Sequence, residues 1–133
     1  IQTYNPEHYA IVNASRQDFK AFATEELSYR RRLHYPPYFR LARVLYQGID
    51  LQELSAFMSK LEGLCRNLEN EDTQILGPSP APFAKINQQY RFHVIIKART
   101  ARHVKTAIAA IEQAERLPKG IFAQIDIDPA MLM

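Results

Sequence analysis

The spacing of hydrophobic and polar residues predicts a series of strands after residue 38. Residues 39–46 are rich in residue types favoured in strands. Residues 90–97 and 122–128 alternate between apolar and polar side chains, as expected for strands with one buried face. Residues 74–76 predict a short strand that runs into a proline-rich loop at 77–82. This part of the chain is therefore expected to contain a sheet of four strands.

Two helices, each with one apolar face, are predicted between these strands. The first spans residues 51–68 and carries apolar residues at helical spacing, after Asp50 and Glu53 in the pattern of a helix-capping box. The second follows Thr100, a suitable capping residue, and its apolar positions lie within 104–111.

The order of these elements predicts the fold. Strand, helix, strand, strand, helix and strand, joined by right-handed crossovers, form a ferredoxin-like βαββαβ antiparallel sheet with two helices on one face. The apolar alternates of the strands, including Ala123, Ile125 and Ile127 of the last one, are expected to meet the helical stripes in a two-layer α+β core. We expect this domain to span residues 38–133 and residues 1–37 to precede it.

A helical segment is predicted ahead of this domain. Asn5-Pro6-Glu7 is a helix-start pattern, so a short helix is expected from Pro6. Ser15 and Asp18 resemble a capping box that starts a second helix, which runs to Arg30-Arg31-Arg32. Tyr35-Pro36-Pro37 then ends it, because proline disfavours helix at the preceding residue.

Composition limits the class of protein. The chain has 133 residues, of which 47% are hydrophobic and 23% charged, and a net charge of +3, which suits one domain with an appendage and excludes intrinsic disorder. No apolar run approaches the ~20 residues of a membrane span, so no membrane partner is expected. The single cysteine, Cys65, excludes an internal disulfide, and the cytoplasm is the expected location. A start at Ile1 rather than Met indicates a piece of a longer protein.

No catalytic residue, metal site or cofactor is predicted in this chain. Its four glycines form no phosphate-binding loop, and one cysteine with four scattered histidines provides no zinc spacing. Asp126 and Asp128 share a strand face and could act as paired acids or metal ligands. Arg40 or Arg43 on the neighbouring first strand can pair with them instead, which is the interpretation we favour.

Positive charge is concentrated in one part of the chain. Residues 73–111 contain no Asp or Glu, whereas residues 50–72 are predominantly acidic. The cations of the first region are Lys85, Arg91, Lys97, Arg99, Arg102 and Lys105. Such a region attracts polyanions, of which nucleic acids are the commonest. The alternative is a solvated face whose cations pair with the acidic helix nearby.

Arg30, Arg31 and Arg32 form a second cationic cluster, with two interpretations. Their guanidinium groups suit phosphate oxygens, which favours a nucleic-acid contact. Alternatively, they complement the negative end of a helix dipole, and on composition alone this interpretation is preferred.

Several strings spread along the chain resemble the C-terminal end of the bacterial primosomal replication-restart helicases, the PriA family. The strings are Ile1-Gln2-Thr3-Tyr4-Asn5-Pro6-Glu7-His8, Glu26-Leu27, Arg30, Leu33, Tyr35-Pro36-Pro37, Leu76-Gly77-Pro78, Pro80-Ala81-Pro82, Tyr90-Arg91-Phe92, Lys97, Asp126 and Asp128-Pro129. They follow the order of the family through nearly the whole chain.

The resemblance implies that this chain is one part of a larger helicase. Residues 1–4 would be the last strand of the second motor lobe and residues 5–37 a helical connection to the C-terminal domain. The family unwinds DNA 3′ to 5′ with ATP and loads the replicative helicase at stalled forks. Its sites for ATP, magnesium and zinc lie upstream, so none of their residues is carried over. The implied partners are single-stranded or forked DNA, the acidic tail of single-strand-binding protein, other primosome proteins and the remaining domains of the same helicase.

The distribution of charge and the family resemblance together give a hypothesis for an anion-binding site. Lys85, Arg91, Lys97, Arg99 and Arg102 are expected to provide the anion-binding surface, with Arg30, Arg31 and Arg32 adjoining it. One alternative is a structural module that braces the motor lobes. Another is a free-standing RNA-binding βαββαβ domain that stacks bases on Tyr90 and Phe92, although alternation with Val94 and Ile96 places both rings in the core.

Overall fold

The computed structural model describes residues 1–130. The chain forms two compact units, with the boundary between Tyr38 and Phe39. Residues 131–133, the end of the predicted C-terminal domain, lie outside the described residues. The assignment of residues 1–37 to a motor lobe and its helical connection stays a prediction. Among the described residues, no helix is both long enough and apolar enough to cross a membrane.

The first unit contains two helices, α1 (Tyr9–Ser15) and α2 (Phe19–Arg32). Helix α1 begins three residues later than the sequence predicted, after His8, whose Nδ1 accepts a hydrogen bond from Ala10 N at 3.2 Å. The prediction that Ser15 caps α2 is wrong, because its hydroxyl donates to the Val12 carbonyl inside α1. Asp18 caps α2 instead, and its carboxylate accepts from Ala21 N at 2.9 Å.

The second unit is a four-stranded antiparallel sheet with two helices. Its elements are β1 (Arg40–Gly48), α3 (Leu51–Leu68), β2 (Thr73–Ile86), β3 (Gln89–Ala98), α4 (Ala101–Ala114) and β4 (Ile121–Ile127). The strand order is β2-β3-β1-β4. The predicted α+β fold with a ferredoxin-like arrangement is confirmed.

The caps of both helices are the predicted ones. Asp50 accepts from Gln52 N and Glu53 N at 2.8 and 3.1 Å, and Thr100 accepts from His103 N at 3.3 Å. These side chains satisfy N–H groups that have no partner inside the helix. They fix where each apolar stripe begins.

One continuous core joins the helical stripes to one face of the sheet. The largest fully buried side chains are Leu54, Leu61, Cys65, Val94, Ile96 and Val104. Tyr90 and Phe92 pack against the same cluster. Both aromatic rings therefore belong to the face covered by α3 and α4, whereas RNA-binding domains stack bases on the opposite face.

The proline-rich segment is part of a strand, so the prediction of a loop at 77–82 is wrong. Strand β2 runs through it and pairs with β3, with register shifts between Leu76 and Ser79 and between Pro80 and Lys85. An edge strand tolerates proline, because only one of its sides must donate hydrogen bonds to the sheet. Gly77 permits the first irregularity through a φ of +96°.

The last strand is less covered than the sequence predicted. Ile121 is buried, but Ile125 and Ile127 on the same face are 39% and 48% exposed. Both helices pack chiefly on β1, β2 and β3, so the helix-side face of β4 is only partly covered.

Candidate nucleic-acid interface

Two exposed cations of the predicted set lie at the start of α4. Arg99 has a side chain that is 63% exposed, and its Nε lies 3.0 Å from Asp72 Oδ1. Arg102 is exposed on the first turn, and no ion pair within residues 1–130 involves it. The first turn carries no acidic residue. The carboxylate of Asp72 already pairs with Arg99, so Arg102 and the free N-terminal N–H groups of α4 are what favour a further anion here.

Lys85 is exposed near the end of β2. Its Nζ lies 4.7 Å from the centre of the Tyr90 ring and 3.5 Å from the Tyr90 hydroxyl. Stacking on the ring holds the ammonium group at the surface, where an anion can reach it. The turn that follows has positive φ at Asn87 and Gln88, 49° and 64°, as in a two-residue β-hairpin.

Arg91 and Lys97 are buried, with only 7% and 6% of their surface exposed. The Arg91 guanidinium donates to the Phe83 carbonyl at 3.2 Å, so β2 provides part of its environment. These two cations do not share an exposed surface with Arg99 and Arg102. Sequence alternation gives the face of a strand on which a residue lies, but it does not show what covers that face.

Two further basic residues, which the sequence did not predict as part of the site, lie on the same sheet face as Arg91 and Lys97, opposite α3 and α4. Arg43 opposes Ile95 across β1 and β3, and His93 opposes Leu45 in the same pair of strands. Both are buried, with 8% exposure each. Cross-strand register, which follows from the hairpin turn and the strand order, brings them near Arg91.

The environment of His93 keeps its imidazole neutral. Burial lowers the pKa of His93 from its ordinary value of 6.5, and the positive charges of Arg43 and Arg91 lower it further. The buried Nδ1 has no hydrogen-bond partner within residues 1–130. His93 thus contributes no charge to the basic region at neutral pH.

The arginine cluster of the first unit is held by contacts within that unit. Arg30 Nε lies 2.6 Å from Glu26 Oε1, and Arg30 Nη1 donates to the Pro36 carbonyl at 3.2 Å. The guanidinium carbons of Arg31 and Arg32 lie 5.0 and 4.8 Å from the ring centres of Tyr38 and Tyr29. All three arginines stand in the last turn of α2, where they complement the helix dipole.

The carboxylates at the end of the chain pair with arginine, as predicted. Asp126 Oδ2 lies 3.7 Å from Arg43 Nη2, and Asp128 forms an ion pair with Arg40. Among residues 1–130 no group of three or more His, Cys, Asp or Glu side chains is placed to hold a metal ion. Both acids thus pair with arginines of the neighbouring strand β1.

A family model described as the primosomal protein N C-terminal domain matches residues 31–130. The chain belongs to this family. The match includes the whole sheet, both of its helices and all of the predicted cations except Arg30.

Curated relatives agree with this assignment. The replication restart protein PriA of Bacillus subtilis is 32% identical over 136 residues, and that of Thermotoga maritima is 34% identical over 132 residues. These alignments cover 100% and 99% of this chain but 17% of each relative. The chain thus spans about a sixth of the length of the relatives that it matches.

A solved structure supports the fold alone. The de novo designed protein Foldit4 superposes with a TM-score of 0.52 and 9% sequence identity, over 70% of this chain and 99% of that one. This likeness concerns the fold and says nothing about function.

Proposed function

We propose that this chain is a non-catalytic C-terminal domain of a bacterial replication-restart helicase and contributes contacts to single-stranded or forked DNA. Its family membership supports a role in replication restart. ATP, magnesium and zinc would be bound elsewhere in the longer protein, which would act in the cytoplasm with other primosome proteins.

The exposed cations at the start of α4 carry the proposal. Arg99, Arg102 and Lys105 are exposed, and the first turn of the helix contains no acid. Lys85 is a further exposed cation of the same unit. Phosphate groups of a DNA backbone are the natural ligands of such a surface, since each neutralised phosphate releases bound counterions. Arg91 and Lys97 are expected to act less directly, because both are buried.

The acidic tail of single-strand-binding protein is a second anion that this surface suits. A carboxylate-rich peptide satisfies the same guanidinium groups and free N–H groups as a phosphate backbone. DNA and the tail are therefore expected to compete for Arg99 and Arg102, which is a testable consequence of their shared chemistry.

A charge-reversal experiment tests the proposal. The double variant Arg99→Glu and Arg102→Glu is expected to weaken binding of a labelled single strand and a labelled fork by tenfold or more, with a salt dependence reduced by about one counterion per lost contact. Two charge reversals on α3, Arg66→Glu and Lys60→Glu, give a control with the same change in net charge.

The measurement is fluorescence anisotropy at two salt concentrations, repeated with the tail peptide. Equal loss of binding in the α3 control would show that only net charge matters. Unchanged binding of both DNA and peptide in the α4 variant would contradict the proposed site.

A structural module that braces the motor lobes is the second candidate. The contacts of Arg30, Arg31 and Arg32 with groups of their own unit favour it, since a helix end held this way has a structural use for its cations. Absence of DNA binding by the wild-type chain at low salt would support this second candidate over the first.

A further inference from the structure

Strand β4 forms an open edge of the sheet. Within the described sheet it pairs with β1 alone, so the backbone N–H and C=O groups along its other side are not engaged in a ladder. Its large apolar side chains are substantially exposed: Phe122 by 65%, Ile125 by 39% and Ile127 by 48%. An edge with these properties is a template for a further strand.

The opposite edge of the sheet is protected. Strand β2 contains Pro78, Pro80 and Pro82, which have no N–H to donate, and its ladder with β3 is interrupted by register shifts. Strand β4, with the sequence Ile-Phe-Ala-Gln-Ile-Asp-Ile, contains neither proline nor lysine. The difference between the two edges marks β4 as the edge at which a strand can be added.

An apolar groove lies beside this edge on the helix side of the sheet. Its volume is about 230 Å³. The apolar side chains of its wall include Val44 and Tyr46 of β1, Phe57 and Leu61 of α3, and Ala123 and Ile125 of β4. A strand added to β4 would direct every second side chain toward this groove.

The polar rim of the groove decides which partner it suits. Glu112 and Glu115 line it at the end of α4, beside Arg116, which is the one cation among the described residues that line the groove. The last turn of α4 carries no basic residue, so its free carbonyl groups add to the negative charge. Phosphate groups would be repelled here, and a second copy of the chain would bring the same carboxylates.

We propose that the β4 edge and its groove bind an extended segment of a partner protein, in which the alternate residues that face the groove include both apolar side chains and Lys or Arg. The segment extends the sheet through backbone hydrogen bonds, places apolar side chains against Ile125, and brings its cations to Glu112 and Glu115. This site is distinct from the start of α4, so it does not depend on the proposed DNA contact.

Nuclear magnetic resonance with a defined peptide tests the proposal. The probe is acetyl-Lys-Thr-Val-Thr-Ile-Thr-Lys-amide, in which both lysines and both apolar residues share one face of the extended peptide, added to the isotope-labelled 133-residue chain. We expect shifts and slowed hydrogen exchange at the amides of β4. The peptide with glutamate in place of every lysine is expected to bind about tenfold more weakly at low ionic strength.

Variants separate the groove from the rest of the strand. Ile125→Lys places a charge in the groove and is expected to weaken binding of the basic peptide by about tenfold. Phe122→Lys, on the other face of β4, is the matched control and should change the affinity by less than about twofold. The double variant Glu112→Gln and Glu115→Gln, which leaves the core intact, should weaken binding by about threefold.

Four results would overturn the proposal. They are a peptide that leaves the β4 amides unchanged, an acidic peptide that binds as well as the basic one, an Ile125→Lys variant with unaltered affinity, and β4 shifts that depend on protein concentration without peptide. The last result would show that a second copy covers the edge.

Discussion

Arg43 and Asp126 face each other across β1 and β4, with 3.7 Å between Arg43 Nη2 and Asp126 Oδ2. The arginine side chain is 9% exposed and the carboxylate side chain 41%, so the pair links the interior of the sheet to its open edge. Arg40 and Asp128 form a second pair at the end of β4, where Asp128 Oδ1 also accepts from Leu41 N at 3.2 Å. Both acids thus hold the edge strand in register.

Asp126→Asn is expected to lower the free energy of unfolding by about 1 kcal/mol, because it removes a carboxylate that faces a largely buried guanidinium group. Glu62→Gln removes the partner of Arg66 in an exposed ion pair on α3. This substitution should change the free energy of unfolding by less than about 0.5 kcal/mol. Urea unfolding measures both. Equal effects of the two substitutions would contradict a special role for the pair across β1 and β4.

The stability of the protein is expected to fall as the pH drops below 6.5, in part because of His93. Its pKa is lowered in the folded state, so the unfolded chain takes up a proton first. Well above pH 6.5 the imidazole is neutral in both states and contributes no pH dependence.

His93→Gln should flatten this slope. The measurement is urea unfolding from about pH 7.5 to about pH 5 in both proteins, with the difference assigned to His93. A stability that falls equally in the variant would show that other groups cause the pH dependence.

Gly77→Ala is expected to destabilise the protein by about 2 kcal/mol or more, for two reasons. The φ of +96° disfavours any side chain, and an added Cβ would lie 2.7 Å from the His93 carbonyl oxygen. Gly120→Ala is the control, since its φ is +92° but no atom lies within 4 Å of the added Cβ. Thermal unfolding of both variants should show the larger loss at Gly77, and equal losses would exclude a steric contribution.

Cys65 is expected to react slowly with thiol reagents in the folded protein. Burial in the core raises the pKa of its thiol to about 11, so little thiolate exists at neutral pH, and the residue is only 2% exposed. Reaction with a coloured disulfide reagent should be fast in urea and at least about a hundredfold slower without it. Fast reaction of the native protein would indicate that α3 opens readily.

The charges of α4 oppose its dipole. Arg102 stands in its first turn, whereas Glu112 and Glu115 stand at its end. Glu115→Lys is therefore expected to raise the free energy of unfolding by about 0.5 kcal/mol. Glu53→Lys, in the first turn of α3, should lower it by a similar amount. Urea unfolding checks both, and a destabilising Glu115→Lys would show that a local contact outweighs the dipole.

Sequence alone predicted the order of strands and helices. The two-residue repeat of a strand and the 3.6-residue repeat of a helix can both be recognised from residues that are close together in the sequence. Asp50 and Thr100 were predictable as caps for the same reason. Ser15 was assigned to the wrong helix, because a hydroxyl group can bond backwards to a carbonyl as readily as forwards to an N–H group.

The rest depended on contacts between distant parts of the chain. Prolines favour loops locally, but β2 continues through them because β3 offers a partner along an edge. The alternation of side chains along β3 predicted the sheet face on which Arg91 and Lys97 lie. It did not predict that both side chains would be buried. Exposure of Ile125 likewise could not be read from its strand, since it depends on where α3 and α4 lie.

The proline content of β2 has a consequence for assembly. A sheet that grows by edge-to-edge addition into a fibril needs two receptive edges on every molecule, one to add to and one to extend. This sheet offers one receptive edge, at β4, and a poor one at β2. Any association through its edges is therefore expected to stop once β4 is occupied, so an interaction strand can remain exposed at a low risk of polymerisation.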